Sequence, residues 1–342
     1  MRKHNVIFKM KNFIANIIRQ SLVGKLLINW RRIFRQRSFL KKYNDEDAIK
    51  KLYQARAGRI LNLDNPVRFT EKLQWYKLHY RNPLMTRCAD KIAIRDYLTE
   101  KGYGEYLVPV IGCYRSVEEI DFHNLPERCI FKAAHGSSMH LVKNGKIPHP
   151  WLWRKIMSSW LKMNIYAEGR EWPYRDVPPG IICEKFMAPN AGEELRDFKF
   201  FCFHGKPYFV QVDSDLLTKH RIDFFDIEWK HLYLKCQYPN SATDIPCPRN
   251  YDTMIKIASD LSSSFPHVRV DFYEFGSTLK IGELTFFDGS DFYSFHPDKY
   301  DFIFGEHWLI KNNTTEVPTR GYSEIILLSF RPPAVALRKE AA

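Results

Sequence analysis

His267-Val268-Arg269-Val270-Asp271-Phe272-Tyr273-Glu274-Phe275, then Gly276-Ser277-Thr278, then Leu279-Lys280-Ile281-Gly282-Glu283-Leu284-Thr285-Phe286-Phe287 reads as a β-hairpin. Both halves are rich in β-branched and aromatic residues, and the glycine-led triplet between them is a short turn. Alternation along a strand puts Arg269 and Asp271 on one face of the first strand, and Glu283 and Thr285 on one face of the second. Two carboxylates on neighbouring strands repel unless a cation lies between them, and hard oxygen ligands suit Mg²⁺ together with phosphate oxygens. A solvated face with ordinary salt bridges fits the same spacing.

Before this hairpin, Tyr251 to Phe265 is an amphipathic helix with Met254, Ile257, Ala258 and Leu261 inward. Further upstream, Asp197 to Phe203 and Lys206 to Asp213 form a second hairpin turning at Gly205, with Asp197, Lys199 and Phe201 on one face. Lys199 is a candidate for phosphate or acceptor binding, or simply an exposed strand lysine. Ile181-Ile182-Cys183-Glu184-Lys185-Phe186-Met187 is a buried strand ending in a charged pair. Cys129 to Ala134, with Lys132 near its end, is a strand running into His135-Gly136-Ser137-Ser138, where a point charge and backbone N–H groups can meet phosphate oxygens. Ser116-Val117-Glu118-Glu119 has the capping-box pattern that starts a short helix. Residues 82 to 98 read as one helix carrying Asp90-Lys91, followed by the strand Leu107 to Ile111. His149 to Asn164 is a helix with Trp151, Trp153 and Trp160 expected in the core.

Of the formal net charge of +13, +12 lies in residues 1–42, which hold twelve Lys or Arg and no acidic residue. The rest, 40 basic against 39 acidic, is nearly neutral, which argues against a nucleic-acid partner. Apolar residues at three- and four-residue spacing between positions 5 and 34 predict a basic amphipathic helix, or two broken near Gly24. Such a helix lies on an anionic membrane surface, and a packing helix with a solvated basic face is the rival. No apolar run reaches the roughly 18 residues of a membrane span. Seven cysteines without Cys-x-x-Cys spacing read as reduced, mostly buried thiols, so a cytoplasmic protein, peripheral at the membrane, is expected. With 45% hydrophobic residues the chain can bury a real core, and the expected division is 1–42, 43–125, 126–310 and a loose tail, 311–342.

The pattern Arg269-Val270-Asp271-Phe272 with Glu283 following resembles the metal hairpin of the ATP-grasp ligases. Phe265-Pro266, Val268 to Tyr273 and Gly282-Glu283-Leu284-Thr285-Phe286 are similar to one branch in particular, the teichuronopeptide-biosynthesis (TupA-like) proteins of surface-polysaccharide clusters. Phe69 to Leu78 resembles that branch's amino-terminal signature. The resemblance covers roughly residues 65 to 305 and implies an α+β fold in which two subdomains grip ATP.

It implies that Asp271 and Glu283 hold Mg²⁺, that Lys91 and Lys132 balance the β- and γ-phosphates, and that Arg269 stabilises the transferring group. It further implies a phosphate loop at His135, Gly136, Ser137 and Ser138, and an adenine slot lined by Glu184, Lys185 and Met187. Lys199 would be a further phosphate or acceptor contact, and Glu193 or Glu194 would reach the ribose. Two positions depart from the family pattern. Ser138 stands where a glycine is usual, with His140 where asparagine is expected, and Thr285 replaces the asparagine ligand.

The activity implied is ATP- and Mg²⁺-dependent carboxylate–amine ligation through an acyl phosphate, in capsule, teichuronopeptide or lipopolysaccharide biosynthesis. The acceptor would be a carboxylated glycan or an amino acid, in keeping with a lipid-linked precursor. The alternatives are a glycosyltransferase or glycan kinase, and a catalytically degenerate ATP-binding scaffold.

Overall fold

The computed structural model describes residues 21–187, 195–214, 220–288 and 292–310. Helix α1 (Leu22–Lys42) starts at Ser21, whose side chain accepts from Gly24 N, and runs through Gly24 without a break. Helix α2 (Asp45–Ala57) is capped by Asn44, opens with three acidic residues that favour the helix N-terminus, and stops at Gly58 in the left-handed conformation. Helix α3 (Phe69–His79) buries Phe69, Leu73 and Tyr76. The helix expected over 82–98 is two, α4 (Pro83–Ala89) and α5 (Ala93–Glu100). The chain breaks at Asp90, whose carboxylate accepts from Ile92 N instead of continuing the helix.

Strand β1 (Val110–Tyr114) begins three residues later than expected. No helix forms at Ser116: Glu119 accepts from Arg115 N and Ser116 N, but bends follow. Strands β2 (Arg128–Ala133) and β3 (His140–Asn144), helix α6 (Pro150–Trp160), the turn-long α7 (Tyr166–Gly169) and β4 (Ile181–Lys185) complete the first layer. These four strands form one antiparallel sheet in the order β1-β4-β2-β3. Strand β1 is an edge of this sheet. One sheet face packs on Trp153, Ile156, Met157 and Trp160 of α6, and Ile33 of α1 joins the same cluster. Trp151 is exposed, because Pro150 starts the helix and position 151 falls on its outer side.

The second sheet has six antiparallel strands, β5 (Arg196–Phe203), β6 (Lys206–Ser214), β7 (Arg221–Asp226), β8 (His231–Leu232), β9 (His267–Phe275) and β10 (Thr278–Thr285), in the order β10-β9-β5-β6-β7-β8. The β5–β6 turn is two residues, His204 and Gly205, both at positive φ, the geometry a tight hairpin requires. Helix α8 (Tyr251–Ser262) covers one face through Met254, Ile257, Ala258 and Leu261. Against part of the other face lies an aromatic cluster centred on Phe69, whose ring meets Phe201, Phe203, His267, Phe304 and Trp308 at 5.2–6.1 Å. This gives the Phe69 to Leu78 stretch a packing role. Helix α9 (Lys299–Glu306), which the sequence reading left out, approaches it closely: a Cβ on Gly305 would meet Val67 O at 2.3 Å.

Candidate active site

The two sheets face each other across a cleft of about 750 Å³. From the first sheet, Arg128, Ile130 and Lys132 of β2 point into it, while Cys129, Phe131 and Ala133 point into the core, as the alternation of one strand dictates. The apolar lining includes Ile94, Val108, Val142, Met187, Leu195 and Leu284. Six basic side chains face the cleft, Lys91, Arg95, Arg128, Lys132, Lys185 and Lys280, against two carboxylates, Glu184 and Glu283. This excess of positive charge suits a polyanion beside a flat apolar group.

Lys132 Nζ donates to Glu184 Oε2 at 2.7 Å, and Arg95 lies 3.7 Å from Glu184 Oε1. Lys91 Nζ lies 3.2 Å from Glu283 Oε2, and that ammonium, ahead of the opposing effect of burial, holds the Glu283 carboxyl down at about 2. Glu283 is directly opposite Asp271, and Thr285 opposite Arg269, while Thr278, expected in the turn, is already paired with Phe275. The bulge at Gly282 sets this register, and a Cβ there would meet Tyr273 Cε2 at 2.9 Å.

Of the thirteen residues singled out in the sequence, Lys91, Lys132, Gly136, Ser137, Ser138, Glu184, Lys185, Met187 and Glu283 line the cleft. His135 does not present its ring: Nε2 bonds Trp160 O at 2.9 Å and Nδ1 accepts from Gly180 N at 3.3 Å, which anchors the base of the loop. Arg269 is buried, and its guanidinium grips Asp271 by two bonds of 2.7 and 2.6 Å, Asp288 at 2.5 Å and Thr285 Oγ1 at 3.3 Å. Arg269 is thus held on the acidic residues and does not line the cleft. Lys199 lies between Asp197 at 3.2 Å and Asp213 at 2.5 Å, one strand beyond Asp271. Residues 193 and 194, and the tail from 311, lie outside the described residues, as do residues 1–20.

Arg95, Arg128, Tyr174, Tyr273 and Lys280 were missed. Arg128 was legible, since it shares the alternating face of Lys132; Arg95 and Lys280 come to the cleft only through packing.

Five carboxylates on this side of the sheet, Asp197, Asp213, Asp271, Glu283 and Asp288, meet three cations, Lys91, Lys199 and Arg269. Burial, reinforced by Asp197 and Glu283, pushes the Asp271 carboxyl up to about 7 against the pull of Arg269. Such a surplus of carboxylates, with Glu283 and Asp288 partly exposed, fits a divalent cation. Each carboxylate oxygen retains a second lone pair beside its hydrogen bond. Among the described residues no three His, Cys, Asp or Glu side chains converge on one point. Two carboxylates with the remaining positions left to phosphate oxygens and water suit Mg²⁺.

The phosphate-loop candidate carries one strained residue. Ser138 sits at φ 60°, the left-handed region in which a glycine costs nothing and a serine about 1–2 kcal/mol. Gly136 is needed for a different reason, because a Cβ there would meet Met139 Cε at 2.1 Å. Ser138→Gly is expected to keep stability within about 1 kcal/mol, since relieved strain and added unfolded-state freedom oppose each other. It should lower the KM for ATP severalfold in an ADP-release assay, and an unchanged KM would show that the loop's backbone does not limit binding.

The model of the TupA-like ATPgrasp family matches residues 71–309. No curated protein sequence matches the chain. Solved structures with partial likeness include the D-alanine–D-alanine ligase of Bacillus anthracis, at 17% identity over 58% of this chain and 56% of that chain, with a TM-score of 0.34. The corresponding ligase of Helicobacter pylori has 11% identity over 70% and 67%, with a TM-score of 0.38. An L-amino acid ligase of Bacillus licheniformis has 11% identity over 72% and 54%, with a TM-score of 0.37. The chain thus spans a little over half the length of the first of these. With the family model covering most of the described residues, including the hairpin and both sheets, the chain belongs to the TupA-like ATP-grasp family and has its α+β fold.

Proposed function

We propose that the chain is an ATP- and Mg²⁺-dependent carboxylate–amine ligase that works through an acyl phosphate in surface-polysaccharide biosynthesis, be it capsule, teichuronopeptide or lipopolysaccharide. The observation that carries this reading is the cleft itself, with six cations along its walls and the opposed pair Asp271 and Glu283 beside it. The apolar lining near Val108, Val142 and Met187 receives the base, while Lys91 and Lys132 balance the triphosphate. Glu184 keeps Lys132 extended towards the cleft. Asp271 and Glu283 would hold Mg²⁺, which when bound neutralises charge on the phosphoryl oxygens. Arg269 positions Asp271 by its two-bond grip. The division into segments 1–42, 43–125, 126–310 and 311–342 belongs to the same proposal.

An ADP-release screen over uronic and amino acids, each paired with an amine, tests the ligase. ADP should appear only when both partners are present. Release with a UDP-sugar, or ATP binding without turnover, would instead favour the transferase or the scaffold.

Helix α1 docks through Ile33, Asn29 and Gln36, with the Asn29 amide 2.8 Å from Ser159 Oγ and with Arg32 and Gln36 on Glu168. Its opposite side exposes Val23, Leu27, Trp30 and Phe34 at 4-3-4 spacing, one helical stripe, and Phe34 is 67% exposed. Arg31, Arg35 and Arg37 flank the stripe and are exposed. Among the described residues no helix is long and apolar enough to cross a membrane. An apolar stripe with basic flanks fits the surface of an anionic bilayer, where a lipid-linked acceptor would reside. Leu27→Glu with Phe34→Glu should cut cosedimentation with phosphatidylserine vesicles by on the order of tenfold or more, and unchanged cosedimentation would remove the membrane role.

A further inference from the structure

Strand β4 lies between β1 and β2, and its Glu184 is opposite Val110 on one side and Ile130 on the other. Lys132, two residues on from Ile130, shares that face and is a diagonal neighbour of Glu184. Its ammonium donates to Glu184 Oε2 at 2.7 Å. An ammonium bonded so closely to a carboxylate has only part of its charge to offer a phosphate. Drawing it away would strip that bond from a carboxylate whose side chain is only 10% exposed, and a charge left unpaired there is costly.

Arg95 supplies a second cation at the same carboxylate. From helix α5 its Nη2 donates to Val108 O at 2.9 Å, which fixes the guanidinium against the apolar wall, and its Nη1 lies 3.7 Å from Glu184 Oε1. The next residue, Pro109, accepts from Lys185 N at 2.9 Å, so the wall and β4 are joined directly as well. Lys132 and Arg95 thus address different oxygens of one carboxylate, and all three side chains line the cleft. An approach of about 1 Å would turn the Arg95 contact into a charge-assisted hydrogen bond of about 2.8 Å.

We propose that Arg95 is a positioning residue for the nucleotide, taking over Glu184 when Lys132 turns to the triphosphate. A guanidinium suits this exchange because it stays charged and has several donors, so one nitrogen keeps Val108 O while another closes on the carboxylate. Lys132 is then released to the phosphates without leaving Glu184 unanswered. Arg95 acts through Glu184 and Lys132, and the ion pair lost on one side is regained on the other. The proposal rests on reading the cleft as a triphosphate site, and it is tested by binding, without turnover.

Titration calorimetry of the full chain with inorganic tripolyphosphate, which carries the charge of the nucleotide's tail without base or ribose, makes the test. The wild type should bind it, and Arg95→Gln should bind it on the order of tenfold more weakly. In a Glu184→Gln background no carboxylate competes for Lys132, so the same Arg95→Gln change should cost less than about threefold. Thermal unfolding checks that the variants are folded. Glu184→Gln by itself keeps the shape of the side chain and should bind tripolyphosphate at least as tightly as the wild type, which keeps the test decisive should Arg95→Gln fail to fold. No binding to the wild type, unchanged binding by folded Arg95→Gln, an equal loss in both backgrounds, or weaker binding by Glu184→Gln would each overturn the exchange. Failure of the ADP-release screen, by contrast, would overturn the ligase and leave the tripolyphosphate result standing.

Discussion

Asp271→Asn should abolish most ADP release, lowering kcat by on the order of a thousandfold while the protein stays folded. The carboxylate is opposite Glu283 on the neighbouring strand, and Glu283 lines the cleft. A metal held there supplies several kcal/mol of charge stabilisation, and each 1.4 kcal/mol is a factor of ten in rate. The amide keeps the shape of the side chain and one acceptor for Arg269, so packing survives. ATP binding measured without Mg²⁺ should change little, because Lys91, Lys132 and the apolar wall are untouched. A variant that keeps a tenth or more of the wild-type rate would show that Asp271 does not carry the metal.

Arg269→Ala should destabilise the fold by about 3–5 kcal/mol, the cost of leaving buried carboxylates without their cation. Its guanidinium answers Asp271, Asp288 and Thr285 at once, and the Asp271 side chain is only 3% exposed. The shift should appear as a lower denaturation midpoint with an unchanged slope. The loss has a pH signature. Burial already raises the Asp271 carboxyl in the folded protein to about 7, above its unfolded value, so the folded state binds the proton more tightly. A raised acid contributes its stability below the unfolded value, near 4, and loses it as pH rises through 7. Without Arg269 the charged form is harder still to bury. The deficit should therefore be greatest above pH 7 and shrink on acidification. A deficit under about 1 kcal/mol at pH 8 would mean that water reaches the pair.

Much of the Arg269 to Thr285 hairpin was legible because a strand repeats every two residues and a glycine-led turn joins its halves. The faces of Asp271 and Glu283 follow from those two facts, whereas their direct opposition comes from the bulge at Gly282, which shifts the pairing by one residue. The β2 strand and its loop were legible for the same reason, down to the replacement at Ser138, which the backbone shows at a glycine-favouring angle. What failed was local signal that tertiary context overruled. Glu119 makes its capping bonds at Arg115 and Ser116, yet no helix forms after them. Asp90 ends one helix, and its carboxylate accepts from Ile92 N, where the sequence read a single helix.

The sequence alone determined the family, the two acidic positions, the basic amino-terminal segment and the placing of charge along the strands, since these depend on residue type and period. Tertiary structure decided which of those charges reach the cleft. Arg269 is committed to Asp271 and Asp288, His135 to Trp160 and Gly180, and Lys199 to two aspartates, whereas Arg95, Arg128 and Lys280 arrive at the cleft from three separate elements. The physical reason is that ion pairing and burial are settled between strands and helices far apart in the chain, at distances of a few ångströms that no local pattern encodes.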